Sequence, residues 1–335
     1  MSKKAIITGV TGQDGAYLAQ FLLEKGYKVY GTYRRSSTPN LWRLNYLGIT
    51  DQIELLSFDL IDQTSITSIL QKVQPDEFYN LAAQSFVGAS FEQPVATAEI
   101  TGVGPLRILD MIRLISPNTR FYQASTSEMF GNSPDVPQSE ETDFHPDSPY
   151  AIAKLAAHWY TRNYREGYDM FACSGILFNH ESPLRGIEFV TKKITDGVAR
   201  IKMGLDTELR LGNLESKRDW GFAGDYIKAM WLMLQQDQAD DYVIGTGDNK
   251  SVREFCEVAF AHVGLHYEDH VVVDEKFFRP VDVHNLLADP SKAEEKLGWN
   301  PTETSFNELV SMMVEADVEK YEQPEKYHSY FLSHI

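Results

Sequence analysis

Thr8-Gly9-Val10-Thr11-Gly12-Gln13-Asp14-Gly15 stands between the short apolar run Lys4-Ala5-Ile6-Ile7-Thr8 and a segment over 16–25 whose apolar residues recur at helical spacing until Gly26. Three glycines at three-residue intervals allow a tight turn, let backbone N–H groups approach a pyrophosphate, and bring the helix close against the strand. Strand, glycine turn and helix at the start of a βαβ unit predict a dinucleotide site. The second strand of that unit ends in Thr32-Tyr33-Arg34-Arg35-Ser36-Ser37. An acidic residue there holds the ribose 2′-hydroxyl of NAD. Two guanidiniums and two hydroxyls suit a 2′-phosphate instead, so NADP is the expected cofactor.

Further strands are read at 28–33, 53–58, 77–81, 120–124 and 171–178, with helical patterns between them at 65–72, 102–114 and 150–165. Strands alternating with helices predict the α/β class, a Rossmann-like doubly wound parallel sheet covered on both faces. After Phe178 the rhythm breaks, and loops bearing Gly or Pro at 180–186, 212–221 and 278–289 separate shorter elements. The domain reading is a dinucleotide-binding domain over 1–178, with about 212–245 returning to it, and a smaller mixed α/β substrate lobe over most of 179–335. Asp289-Pro290 is expected to open a helix that stops at Gly298, Asp289 capping it and Pro290 in its first position.

Tyr150 and Lys154 stand four residues apart, hence on one helix face. A phenol titrating near ~10 is a poor base at neutral pH, and a nearby ammonium and an oxidised nicotinamide are expected to lower it. The strand before this helix ends in Ala124-Ser125-Thr126-Ser127-Glu128. Carboxyl ends of strands face the ligand crevice in open α/β sheets, so Thr126 is placed to share a substrate proton with Tyr150. Glu128 is the informative residue. A dehydrogenase, reductase or epimerase needs no carboxylate there, whereas an elimination must remove a C–H beside a carbonyl and protonate a departing hydroxyl.

Thirty-one Lys plus Arg against 48 Asp plus Glu give the 335-residue chain a net charge of −17. Such a surface repels nucleic acid and anionic lipid, so neither is an expected partner. A phosphate-bearing ligand then needs a local cationic site. Residues 185–218 supply one, with eight basic residues against five acidic. No apolar stretch reaches the ~18 residues of a membrane span. The N-terminal apolar run ends after Ile7, short for a signal sequence. Cys173 and Cys256 lie far apart, and no His or Cys spacing suggests a metal, so a reducing cytoplasm and a metal-free site are expected.

Beyond these readings, the chain resembles the extended short-chain dehydrogenase/reductase family and, within it, the GDP-mannose 4,6-dehydratases. The likeness runs over nearly the whole length. It is carried by the stretches at 7–15, 33–37, 79–85, 121–128, 148–150, 175–183, 217–221, 226–236 and 278–280. The resemblance implies catalysis by Thr126, Glu128 and Tyr150, with Lys154 on the nicotinamide ribose. It implies cofactor contacts at Gly9, Thr11, Gly12, Gln13, Asp14, Arg34, Arg35, Ser36, Asp59, Leu60, Leu81, Ala82, Ala83, Gln84, Ser85, His180 and Arg185. Substrate contacts are implied at Ser85, Ser127, Asn179, Lys193, Arg218, Arg279 and Asp282, beside the catalytic residues. Three departures stand out: Ala96 replaces an aromatic, Leu184 an arginine, and Asp282 and His284 replace a glutamate and an aspartate.

The implied reaction converts GDP-mannose to GDP-4-dehydro-6-deoxymannose and water, at the head of routes to GDP-deoxyhexoses such as GDP-fucose or GDP-rhamnose. Another GDP-sugar, such as a GDP-heptose, or an epimerase or reductase reaction are the competing readings, and a catalytically dead NADP sensor is a third. The family also implies a homo-oligomer, dimer or tetramer, with the arginine-rich loop after the second strand reaching a neighbouring cofactor site.

Overall fold

Alternation decides the central sheet. Ala5 and Ile7 pack on one face with Tyr79 and Tyr122, while Ile6 packs on the other with Phe78 and Phe121, and all seven are buried. A strand that buries both faces must be covered on both. Each of the larger side chains contributes about 1.5–3 kcal/mol by leaving water. The computed structural model describes residues 2–38, 40–277 and 285–332.

Six strands follow in chain order: β1 (Lys4–Thr8), β2 (Lys28–Tyr33), β3 (Glu54–Ser57), β4 (Glu77–Asn80), β5 (Arg120–Thr126) and β6 (Ala172–Leu177). The next four are β7 (Asn179–Glu181), β8 (Leu209–Leu211), β9 (Lys217–Phe222) and β10 (Asp241–Ile244). The seven-stranded sheet runs β10-β6-β5-β4-β1-β2-β3, parallel throughout. Strand order reverses between β1 and β4, which opens the ligand crevice above their carboxyl ends.

Local signals set the helices. Asp62 caps Gln63–Val73 by accepting from Thr64 N and Ser65 N. Ser148 caps Pro149–Tyr168, with Pro149 at the first position, so Tyr150 falls in the first turn. The pattern read at 102–114 begins earlier than expected: a π-helical turn, Ala98–Val103, leads into Gly104–Ile115 and packs on the Tyr150 helix. The helix after Pro290 starts one residue late, at Ser291. Asp289 still accepts from Ser291 N at 3.1 Å, and Gly298 ends the helix at φ +64°.

The remaining strands are β11 (Asn249–Ser251), β12 (Val271–Val273) and β13 (Asn285–Leu286). Strand β9 pairs with β7, β11 and β13, and β8 with β12. Helices Val190–Lys202, Val252–His262 and Phe306–Glu322 close a separate apolar core around Phe255, Phe260 and Met313.

Candidate active site

The glycine turn is built as its spacing requires. Gly9 adopts φ +68°, and a Cβ on Gly15 would lie 2.3 Å from the Gly9 carbonyl oxygen. Helix Gln13–Glu24 therefore starts hard against β1. Its N-cap, Gly12, has no side chain to satisfy the first amides. Across the crevice, Thr8 Oγ1 accepts from Leu81 N and Ala82 N at 3.0 and 3.1 Å and donates to Asn80 Oδ1 at 2.8 Å. Gln84 N donates to Thr101 Oγ1, while Gln84 Oε1 is buried with no hydrogen-bond partner among the described residues. Open amides, a cradle that a Cβ would fill and an orphaned acceptor fit a dinucleotide.

Gln13, Asp14 and His180 meet one another. His180 Nδ1 lies 2.7 Å from the Phe178 carbonyl, which only accepts, so this nitrogen carries a proton. Nε2 lies 2.8 Å from Asp14 Oδ2. Burial opposes the charge on both groups, but each sustains the other: Asp14 is held down to about 2 and His180 is raised. Gln13 binds Asp14 Oδ1 and the His180 carbonyl and accepts from Ser182 Oγ. Arg185 Nε sits 3.0 Å from Glu181 Oε2, and its guanidinium stacks 3.5 Å over Phe189.

Arg34, Arg35 and Ser36 stand exposed beyond β2. Asp59 turns its carboxylate to Ile61 N, with Leu60 buried beside it. Leu81, Ala82 and Ala83 are half-buried after β4 and Ser85 is exposed. These residues, with Thr11, line the carboxyl-end side of the sheet.

Thr126 ends β5, and its Oγ1 accepts from Glu128 N at 3.3 Å, capping the short turn Ser127–Met129. Its proton is then free to face the Tyr150 phenol, whose ionised form it favours. Burial, followed by the Glu128 charge, pushes Tyr150 well above its ordinary value, while Thr126 and Arg185 pull it down. The expected lowering by Lys154 is thus not what the chain alone provides. Lys154 Nζ donates to the Ala124 carbonyl at 2.7 Å, and burial brings it down to about 8.

Asn179 and Arg218 lie on neighbouring β7 and β9; Arg218 Nη1 donates to the Lys217 carbonyl. Lys193 Nζ lies 3.9 Å over the Phe277 ring. Arg279 and Asp282 lie outside the described residues.

Two supports escaped the sequence reading. Half-buried Arg43 donates to the Leu184 carbonyl at 2.8 Å and the Thr11 carbonyl at 3.1 Å, tying the glycine turn to the loop before Arg185. His158 is 3% exposed and lies 3.2 Å from Ser125 Oγ. It stands four residues beyond Lys154 on the same helix face.

A family model described as GDP-mannose 4,6 dehydratase matches residues 6–313. GDP-mannose 4,6 dehydratase 1 of Arabidopsis thaliana is 54% identical over 327 residues, covering 95% of this chain and 90% of that protein. GDP-mannose 4,6 dehydratase of Homo sapiens is 49% identical over 340 residues, covering 94% and 91%. The solved structure of dTDP-glucose 4,6-dehydratase from Bacillus anthracis in complex with NAD superposes with TM-score 0.83 at 19% identity, over 98% of this chain and 100% of that one, a likeness of fold. Matched by the family model over most of its length, and about half identical to relatives from a plant and an animal, this chain belongs to the GDP-mannose 4,6-dehydratase family.

Proposed function

We propose that this chain is a hydro-lyase that converts GDP-mannose to GDP-4-dehydro-6-deoxymannose and water with tightly bound NADP. The observation that carries the reading is the nearness of the Glu128 carboxylate to the Tyr150 phenol, on whose charge it acts, with the Thr126 hydroxyl holding the Glu128 amide at 3.3 Å. One pocket thus holds a group for a hydroxyl proton and a second for a carbon-bound one.

NADP would be held by the amides of Gly9–Asp14, by residues 81–85, by Lys154 and, at its 2′-phosphate, by Arg34, Arg35 and Ser36. Bound there, it would supply a hydride acceptor for C4 of the sugar and a hydride donor for C6, and its positive charge would favour the ionised phenol of Tyr150. Tyr150, with Thr126 donating to it, takes the proton of the 4-hydroxyl. The resulting 4-ketone acidifies the C5 hydrogen, and Glu128 removes it. The C6–O bond then breaks, and the same carboxyl gives its proton to the leaving hydroxyl, releasing water. With C6 reduced, the proton that Tyr150 took from the 4-hydroxyl goes to C5, which completes the 6-deoxy-4-ketone and restores the phenolate. Asn179, Lys193 and Arg218 are assigned to the GDP end, together with Arg279 and Asp282 from the sequence resemblance.

The proposal extends to architecture and setting. We assign 1–178 with about 212–245 to a cofactor domain and most of 179–335 to a substrate lobe. A homo-oligomer, dimer or tetramer, is supported by Ile152 and Trp159, which expose 57% and 48% of themselves on the Tyr150 helix. A cytoplasmic location is supported by two buried, unbridged cysteines, Cys173 and Cys256.

Mass spectrometry of nucleotide sugars tests the function directly. Purified protein with catalytic NADP⁺ is offered GDP-mannose beside UDP-, dTDP- and CDP-hexoses. Loss of one water from GDP-mannose alone is expected. A product of unchanged mass, or one gaining two hydrogens, would replace the dehydratase reading with an epimerase or a reductase.

A further inference from the structure

Between Glu128 and Tyr150 the chain makes a long excursion that returns through a closed neck, His145 N donating to the Met129 carbonyl at 2.9 Å. Halfway along it, Gln138 is completely buried. Its backbone N–H donates to the Leu287 carbonyl, and its carbonyl accepts from Asp289 N, both at 2.8 Å. Its side chain repeats the grip: Oε1 accepts from Leu287 N at 2.9 Å, and Nε2 donates to the Asp135 carbonyl at 2.7 Å.

The segment it holds leads straight to the nucleotide end of the cleft. Leu286, the residue before Leu287, is in register with Arg218 across β13 and β9, and Asn179 is in register with Trp220 across β7 and β9. Asp219, beside Arg218, accepts from Ala288 N at 3.1 Å and from Thr246 N and Gly247 N at 2.8 and 2.9 Å. Packing follows the same route. Met129 and Phe130, which follow Glu128, share one buried apolar cluster with Leu286, Ala288 and Phe178. The turn that aims Glu128 and the strand that carries Arg218 therefore meet in a single packed and hydrogen-bonded junction.

We propose that Gln138 is a positioning residue that couples the nucleotide end of the cleft to the carboxylate at its sugar end. Its side-chain bonds to Leu287 N and the Asp135 carbonyl register the Glu128 turn against the Arg218 sheet. The inference rests on reading this cleft as a GDP-sugar site. Packed junctions of this kind carry strain between sites because they do not deform continuously. Gln138 itself touches no reacting atom, and its work is to keep the base in line with a sugar that is anchored from its far end.

Gln138→Met keeps the length and the backbone rungs but removes both side-chain hydrogen bonds. It should lower kcat for GDP-mannose about 10–100-fold, the cost of roughly an ångström of misplacement. The Kd of GDP alone, measured by titration calorimetry, should stay within about 2-fold on the same account. GDP affinity that falls in step with kcat, or an unchanged kcat, overturns the proposal. Hydrogen exchange on the wild-type protein is an independent check should that variant fold poorly. Adding GDP should slow exchange in the peptides spanning 129–147 as well as those spanning 285–289, and slowing confined to the substrate lobe overturns the coupling. Wild-type protein that binds no GDP at all overturns the substrate reading and this inference with it, whereas GDP binding without either coupled response overturns the inference alone.

Discussion

Lys154 Nζ and the Ala124 carbonyl lie 2.7 Å apart, and that carbonyl also accepts from the side chain of Gln123 at 2.9 Å. Gln123 Oε1 accepts in turn from Asn80, which accepts from Thr8. One line of hydrogen bonds thus runs from the strand before the glycine turn, across β4 and β5, to the ammonium of the Tyr150 helix.

Lys154 gives up its proton near 8 in the fold, against 10.5 ordinarily, because burial disfavours the charge. Between those values the unfolded chain binds the extra proton, so stability rises with pH through this group. Urea unfolding of the wild type and Lys154→Met should diverge accordingly. The wild type gains on the order of 2 kcal/mol relative to the variant between about pH 8 and 10. A flat difference would remove the buried charge from the account.

Glu128→Gln should abolish water loss, with turnover down by about 10²–10⁴-fold. The amide neither takes the C5 hydrogen nor delivers a proton to the departing hydroxyl. Oxidation at C4 uses Tyr150 and survives, so hydride exchange at C4 of a deuterated substrate should persist. Full dehydration in this variant would take the base away from Glu128.

Tyr150→Phe should fail one step earlier, losing C4 exchange and dehydration together by about 10²–10⁴-fold. Thr126 separates two duties, capping the Glu128 turn through its oxygen and serving Tyr150 through its proton. Thr126→Ser keeps both and should retain most activity, while Thr126→Val loses both and should fall about 10²-fold. Rates near wild type in Thr126→Val would leave Tyr150 without that partner.

Asp14 and His180 make a pH-windowed clasp. Asp14 is held down to about 2 from 3.8, so its contribution is full above its unfolded value and fades as pH falls toward 2. His180 is raised above 6.5, so its contribution is full below that value and fades as pH rises through the folded one. Asp14→Asn should therefore be destabilised most between about pH 4 and 6.5, by roughly 2 kcal/mol. Thermal or urea melts across that range would show the difference shrinking on both sides, and a pH-independent difference would contradict the ion pair.

The sheet was legible because its signals are local. Apolar runs of β1 and β2 end at glycine and arginine, and Ser148-Pro149 starts the Tyr150 helix where a cap belongs. Boundaries slipped where tertiary packing overrode them, as at the π-helical turn before Gly104. Residues fixed by a strand end or a helix face, such as Thr126 and Lys154, could be placed from the sequence alone. Arg43, His158 and Gln138 could not. Their side chains reach backbone groups or hydroxyls far away in the chain, and nothing in the spacing of a long-range contact is written beside the residue that makes it.

Strand β10 pairs with β6, but 63 residues separate Leu177 from Asp241, and β7, β8 and β9 are laid down between them. During synthesis the seven-stranded sheet must wait, one flank of β6 bare, until β7, β8 and β9 have emerged and β10 follows them. A fragment cut at Phe178 would keep the glycine turn, Tyr150 and Lys154, yet present a buried-type strand as an open template for other chains. The same threading makes the two halves inseparable by a single proteolytic nick: cleavage between them would still leave a strand of one sheet on the far side of the break.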